Sequence, residues 1–233
     1  MLVIIYQLIY LFSTFKFEED ILLSKEEDQK FENFILDIRA NKLESVQETL
    51  VQDDGLKLFN RDILIDLNLD EEVELDKALV DDDSAIMDSI GSTLCLRPFQ
   101  LAVVLGHKEM MEVVLRHIID SFDAEGCILL LEEYLGHEAR IIFPDPERPY
   151  SFDKDDRSID GMNVFHLAAK FYPDGVDLIF GILNETNSTY TKILILLQKK
   201  DRQLHRTPLH VALRNHPSSV SEALTRYFHN IYV

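Results

Sequence analysis

Four stretches of this chain open alike, and the distances between them restrict the fold more than any other feature. Phe34–Leu50 (FILDIRANKLESVQETL) laid over Phe99–Leu115 (FQLAVVLGHKEMMEVVL) matches at the aromatic start. It matches again at Leu36 with Leu101, Glu44 with Glu109 and Leu50 with Leu115. Arg97–Ala102 (RPFQLA), Asn163–Ala168 (NVFHLA) and Thr207–Ala212 (TPLHVA) begin in the same way. Phe34 to Phe99 is 65 residues, Phe99 to Phe165 is 66 and Phe165 to Leu209 is 44. The first two offsets are close to twice a period of about 33, and the third is one such period plus about eleven. Self-similarity of this kind predicts an array of stacked helical units in which each unit touches only its neighbours.

A period of about 33 with T-P-L-H-x-A is the signature of one repeat family, and the chain resembles the ankyrin repeat family. Thr207-Pro208-Leu209-His210-Val211-Ala212 carries the whole hexapeptide. Asp160–Ala169 (DGMNVFHLAA) follows the family pattern but has Asn163-Val164 in place of Thr-Pro. Arg97–Ala102 keeps Pro98 and Ala102 but has Gln100 where His is usual. Leu105-Gly106-His107-Lys108-Glu109 resembles the family's turn between two helices, and Ala40-Asn41-Lys42-Leu43-Glu44 stands there in the first copy. The resemblance is clearest over 97–119, 160–183 and 201–228 and weaker over 34–50. It implies an all-α ankyrin-like solenoid with irregular insertions and about five or six units once worn copies are counted. It also implies that His166 and His210 act as hydrogen-bonding struts between neighbouring turns.

The residues themselves support helical pairs. Pro208 suits the first turn of a helix, where its missing N–H has no intrahelical partner, and Thr207 before it can cap that helix. Leu209, Ala212 and Leu213 recur at i, i+3 and i+4 and make one apolar face. Ala102, Ala168 and Ala212 are small where helices must approach closely. Met110, Met111, Val113, Val114, Leu115, Ile118 and Ile119 form a thick apolar face that one unit cannot bury alone.

The organisation expected is a single repeat domain. Residues 1–30 form an N-terminal apolar or capping segment, and 31–52 a repeat. Residues 53–96 are an acidic insertion or a decayed repeat, 97–122 a repeat and 124–143 a degenerate one, where Leu135-Gly136-His137 echoes Leu105-Gly106-His107. Residues 144–161 form a loop, and 162–200 a repeat in which Ser188–Lys200 makes a longer second helix or an added one. Residues 201–233 are a C-terminal repeat or cap.

Charge is graded along the chain. The formal charge is −19; residues 1–96 hold 8 basic and 23 acidic side chains, and residues 97–233 hold 15 and 19. Such a surface repels phosphate backbones and disfavours nucleic acid as a partner; it attracts a basic protein surface. Met1–Phe15 (MLVIIYQLIYLFSTF) is uncharged but shorter than the ~20 apolar residues of a membrane-spanning helix. It lacks a basic n-region and a small-residue cleavage site, so it reads as a buried cap, and any membrane contact would fall there. Two cysteines suit a reducing, cytoplasmic compartment.

Motifs for chemistry are missing. There is no phosphate-binding glycine loop, no H-E-x-x-H and no G-x-S-x-G. Cys127 lies ten residues before His137 but precedes an apolar run, which marks it as a buried structural thiol. Asp81-Asp82-Asp83 lacks calcium-loop spacing. No catalytic residue, metal or cofactor is expected. The reading is a non-enzymatic scaffold or adaptor that binds a partner protein through the concave face of its first helices and turn fingers. Arg148, Tyr150, Phe152 and Asp155 are the candidate contacts, because they lie in an irregular loop and include residue types enriched in binding hot spots. Pro98, His166, Thr207, Pro208 and His210 are the structural motif positions. Two variants of the same idea are an effector of a pathogen or symbiont acting on a host protein, and an adaptor tethered to a membrane by residues 1–15.

Overall fold

The computed structural model describes residues 25–52, 55–66, 93–121, 131–142, 159–184, 191–202 and 204–215. These are mostly helical. Helix α1 covers 25–39, α2 Leu43–Val51 and α3 Gly55–Phe59; α4 covers Pro98–Val104, α5 Lys108–Ser121 and α6 131–136. Helix α7 covers Val164–Phe171, α8 Asp174–Asn184, α9 Thr191–Gln198 and α10 Pro208–Asn215. Strands β1 (Ile63–Asp66), β2 (Thr93–Leu96) and β3 (Arg140–Ile142) form an antiparallel sheet in that order.

The helices stack by row. Among first helices α4 packs on α7 and α7 on α10; among second helices α2 packs on α5 and α5 on α8. Within units α4 packs on α5 and α7 on α8. Each described unit adds a short third helix: α3 touches α4, α9 touches α10, and α6 meets α9 where Gly136 faces Leu196. A Cβ at Gly136 would lie 3.2 Å from a Leu196 methyl, so glycine permits this approach.

The backbone repeats the register independently of side-chain identity. Asn41 (φ 52) and Gly106 (φ 68) occupy the same place in their units, 65 residues apart, and turn the chain from first helix to second. Gly161 (φ 77) and His205 (φ 53), 44 residues apart, do the same ahead of α7 and α10. Left-handed backbone suits Gly and is tolerated by Asn, so His205 pays a local strain that its turn must hold. At Gly161 the constraint is also steric, since a Cβ there would meet the Arg202 backbone nitrogen at 2.6 Å.

One apolar core runs through all units, from Phe31 and Phe34 on α1 to Val211 and Ala212 on α10. Phe34 meets Phe59 edge-on at 4.8 Å, joining α1 to the third helix of its unit, and Phe165 stacks on Phe180 at 5.5 Å. Rings at these separations add to area burial.

Several expectations change. Every residue of α4 is buried, and so are Val164–Ala169 of α7. Helix α4 therefore offers no exposed side chain. The reason is local: Val104 and Leu105 stand where later units carry Lys170-Phe171 and Arg214-Asn215. Lys170 and Phe171 are half-buried and Arg214 and Asn215 exposed, as is His210 of α10. Residues 25–30, expected inside an apolar or capping segment, are the exposed first turns of α1. The stretch 53–96 contains α3 and opens and closes a strand pair. Within 124–143, read as a degenerate repeat, 131–136 is helical and Arg140–Ile142 is a strand. Ser188–Lys200 contains α9, Thr191–Gln198.

Candidate partner-binding row of turns

The segments that leave third helices and enter first helices lie side by side and form a row of turns. Their polar side chains join one unit to the next. Pro98 and Pro208 occupy the first position of α4 and α10. Asn163 caps α7: its amide oxygen accepts the His166 N–H at 3.2 Å, while His166 Nδ1 accepts the Asn163 N–H at 3.3 Å. Thr207 and His210 repeat this arrangement at α10, with the Thr207 hydroxyl 2.7 Å from His210 Nδ1.

His166 also crosses between units. With Nδ1 accepting, the proton lies on Nε2, which donates to the Arg206 carbonyl at 2.9 Å. His166 is fully buried, and that burial holds its pKa down to about 4 even though the Arg206 carbonyl and Asp201 favour the charged form. Asp201, also buried, organises the turn that carries Arg206. Its carboxylate accepts the Leu204 N–H at 2.8 Å and the Arg206 Nε–H at 2.7 Å, and its own N–H donates to the Arg206 carbonyl at 2.8 Å.

Gln100 and Asn163 have a common use. Gln100 accepts the Arg97 N–H at 2.8 Å and donates its amide to the His137 carbonyl at 2.9 Å, just beyond α6. Asn163 donates its amide to the Leu196 carbonyl at 3.1 Å, in the last turn of α9. Gln100 does with one amide what His166 does with its two ring nitrogens, capping its own helix and donating across, while the Asn163 amide has a donor left over after capping. Each amide thus ties a first helix to the third helix of its unit. Neither bond is legible in the local sequence, because the acceptor lies in or beside a short third helix 33 or 37 residues away.

Acid–base pairs complete the row. Glu138 bridges Lys199 and Arg202, both at 2.7 Å. Burial pushes the Glu138 carboxyl up, but these two cations more than offset it and leave it below the usual range. Arg97 reaches Asn60 at 3.1 Å and Glu133 at 3.3 Å. Asp62 stands 3.7 Å from Arg97 Nε and 3.6 Å from His137 Nε2. Burial and the neighbouring Arg97 lower the pKa of His137.

Cys95, His137 and Asp62 invite comparison with a nucleophile, a base and an orienting acid. The electrostatics oppose it. Burial, then the Asp62 charge and its hydrogen bond to the thiol, push Cys95 up, so the sulfur stays protonated and inert. Among the described residues no group of three or more His, Cys, Asp or Glu could hold a metal ion. Among them, too, no helix is long and apolar enough to cross a membrane; Met1–Phe15 lies outside them. The candidate contacts Arg148, Tyr150, Phe152 and Asp155, and Cys127, also lie outside the described residues. The row of turns flanks that loop on both sides, through β3 and Ile159–Asn163. No family model, curated protein or solved structure matches this chain.

Proposed function

We propose that this chain is an ankyrin-like repeat scaffold that binds another protein along its row of turns. The observation that carries this reading is the His166 Nε2 to Arg206 carbonyl hydrogen bond of 2.9 Å, which joins two turns 40 residues apart. A strut of this kind makes neighbouring turns one rigid surface, and a preformed surface loses little entropy on association. Burial of α4 and most of α7 supports the turns, rather than the helix faces, as the place where a partner is met. The charge of −19 favours a partner with a basic surface.

The test is capture of a partner from lysate by the purified chain. It is run beside a variant carrying Arg148→Ala, Tyr150→Ala and Phe152→Ala, with folding checked by circular dichroism. A specific protein held by the parent and lost by the folded variant supports the reading and its site. The same protein held equally by both moves the site off this loop. Affinity that does not fall as salt rises removes the electrostatic part.

A further inference from the structure

The sheet has two edges, and they are finished differently. The β3 edge is closed by the next unit. Ala139 N–H donates to the Met162 carbonyl at 2.8 Å, Gly161 N–H to the Ala139 carbonyl at 2.8 Å, and Ile141 N–H to the Asp160 carboxylate at 3.1 Å. Because Ile141 points its N–H outward, the alternation of an antiparallel ladder turns Arg140 and Ile142 toward β2. On the far side of β2 the same alternation turns Ile63 and Ile65 inward, opposite Leu96 and Leu94. Leu64 and Asp66 are left with backbone N–H and C=O groups facing out from β1. Among the described residues none pairs with that edge.

An open edge is a template for a further strand. Here it is also marked by side chains. Leu64 is 64% exposed, a large apolar residue in the middle of the strand. Asp62, just before the strand, is 49% exposed; it accepts from the Cys95 thiol, while Arg97 at 3.7 Å and His137 at 3.6 Å stand beyond hydrogen-bond distance, so acceptor positions remain on its carboxylate. The half of the chain around it is strongly acidic, with 23 acidic against 8 basic residues up to position 96.

We propose that the outer edge of β1 receives an extended segment of a partner protein as a fourth strand. That segment sets an apolar side chain opposite Leu64 and a lysine or arginine opposite Asp62. Backbone hydrogen bonds to Leu64 and Asp66 supply the attachment, and alternate side chains supply the choice of partner. This rests on the scaffold reading and names the chemistry of what the scaffold takes.

The full-length chain, labelled with nitrogen-15, is titrated with a capped peptide Thr-Lys-Thr-Val-Thr-Lys-Thr-Val, in which lysine and valine alternate along one face. Two controls are its glutamate–valine counterpart and the lysine–valine peptide N-methylated at every residue. The expected result is movement of the Leu64 and Asp66 amide signals, with hydrogen exchange at Leu64 slowed about tenfold or more. The glutamate peptide binds at least about tenfold more weakly, and the N-methylated one does not move these signals. Leu64→Pro, which removes the donor, abolishes the response; Leu64→Lys, which keeps the backbone, weakens it by repulsion. No movement at 63–66, or equal binding of the N-methylated peptide, overturns the proposal. So does a concentration-dependent dimer of the chain alone that Leu64→Pro abolishes, since the edge would then be taken by a second copy. An unmoved β1 alongside partner capture that depends on Arg148, Tyr150 and Phe152 would sink the edge and leave the scaffold standing.

Discussion

The starts of α7 and α10 share a backbone and differ in what they hold. Both place a capping side chain one residue before the helix and a histidine three residues later, with the same reciprocal bonds. At α10 the cap is Thr207 and the histidine, His210, is exposed. At α7 the cap is Asn163, both residues are fully buried, and two further bonds leave the pair, to Leu196 and to Arg206. The two caps therefore differ in reach: the Asn163 amide does what the Thr207 hydroxyl does and also bonds to α9.

The largest effect in this comparison belongs to the turn that His166 reaches. Asp201→Ala leaves Arg206, only 11% exposed, without its carboxylate and frees the Leu204 N–H. It should cost about 1–3 kcal/mol in urea unfolding, because the part-buried Leu204 N–H loses its acceptor and the Arg206 guanidinium one of its bonds. A loss below about 1 kcal/mol would mean the turn is held by other means.

Next comes pH. The folded pKa of His166, about 4, lies below its ordinary value of 6.5, so the folded state resists its protonation. The stability this group contributes is complete above about pH 6.5 and is lost as pH falls toward 4, up to about 3 kcal/mol in all. The check is the difference between the parent and His166→Gln across that window, which cancels the acid response of the many carboxylates. Parallel curves would contradict the assignment.

The smallest effects are the most discriminating. Asn163→Thr puts the α10 cap at α7 and should destabilise by about 1–2 kcal/mol, since the Leu196 carbonyl loses its buried donor. Thr207→Asn, the reverse exchange at α10, should change stability by no more than about 0.5 kcal/mol. If both exchanges behave alike, the difference between the two helix starts has no energetic meaning.

How much of this was legible from the sequence depended on distance along the chain. The starts of α4, α7 and α10 follow from Pro98, Asn163-Val164 and Thr207-Pro208, because caps act on residues two or three positions away. The left-handed turns at Asn41 and Gly106 follow from residue type in the same way. The strands did not announce themselves: each is three or four residues long, and β1 pairs with β2 about thirty residues later in a stretch dominated by acids. Third helices such as Gly55–Phe59 are too short to show a period. Without them, Gln100 and Asn163 could only be read as worn motif positions, and the Asp62–Arg97–His137 group, spread over 75 residues of chain, could not be seen.

The central claim is that amide side chains on first helices fasten the third helices through the row of turns. Native-state hydrogen exchange on the parent and Asn163→Thr tests it most directly. The account predicts that amides of α9 exchange about tenfold faster in the variant, while those of α5, in the preceding unit, keep their rates. Equal acceleration throughout the chain, or none in α9, would contradict it.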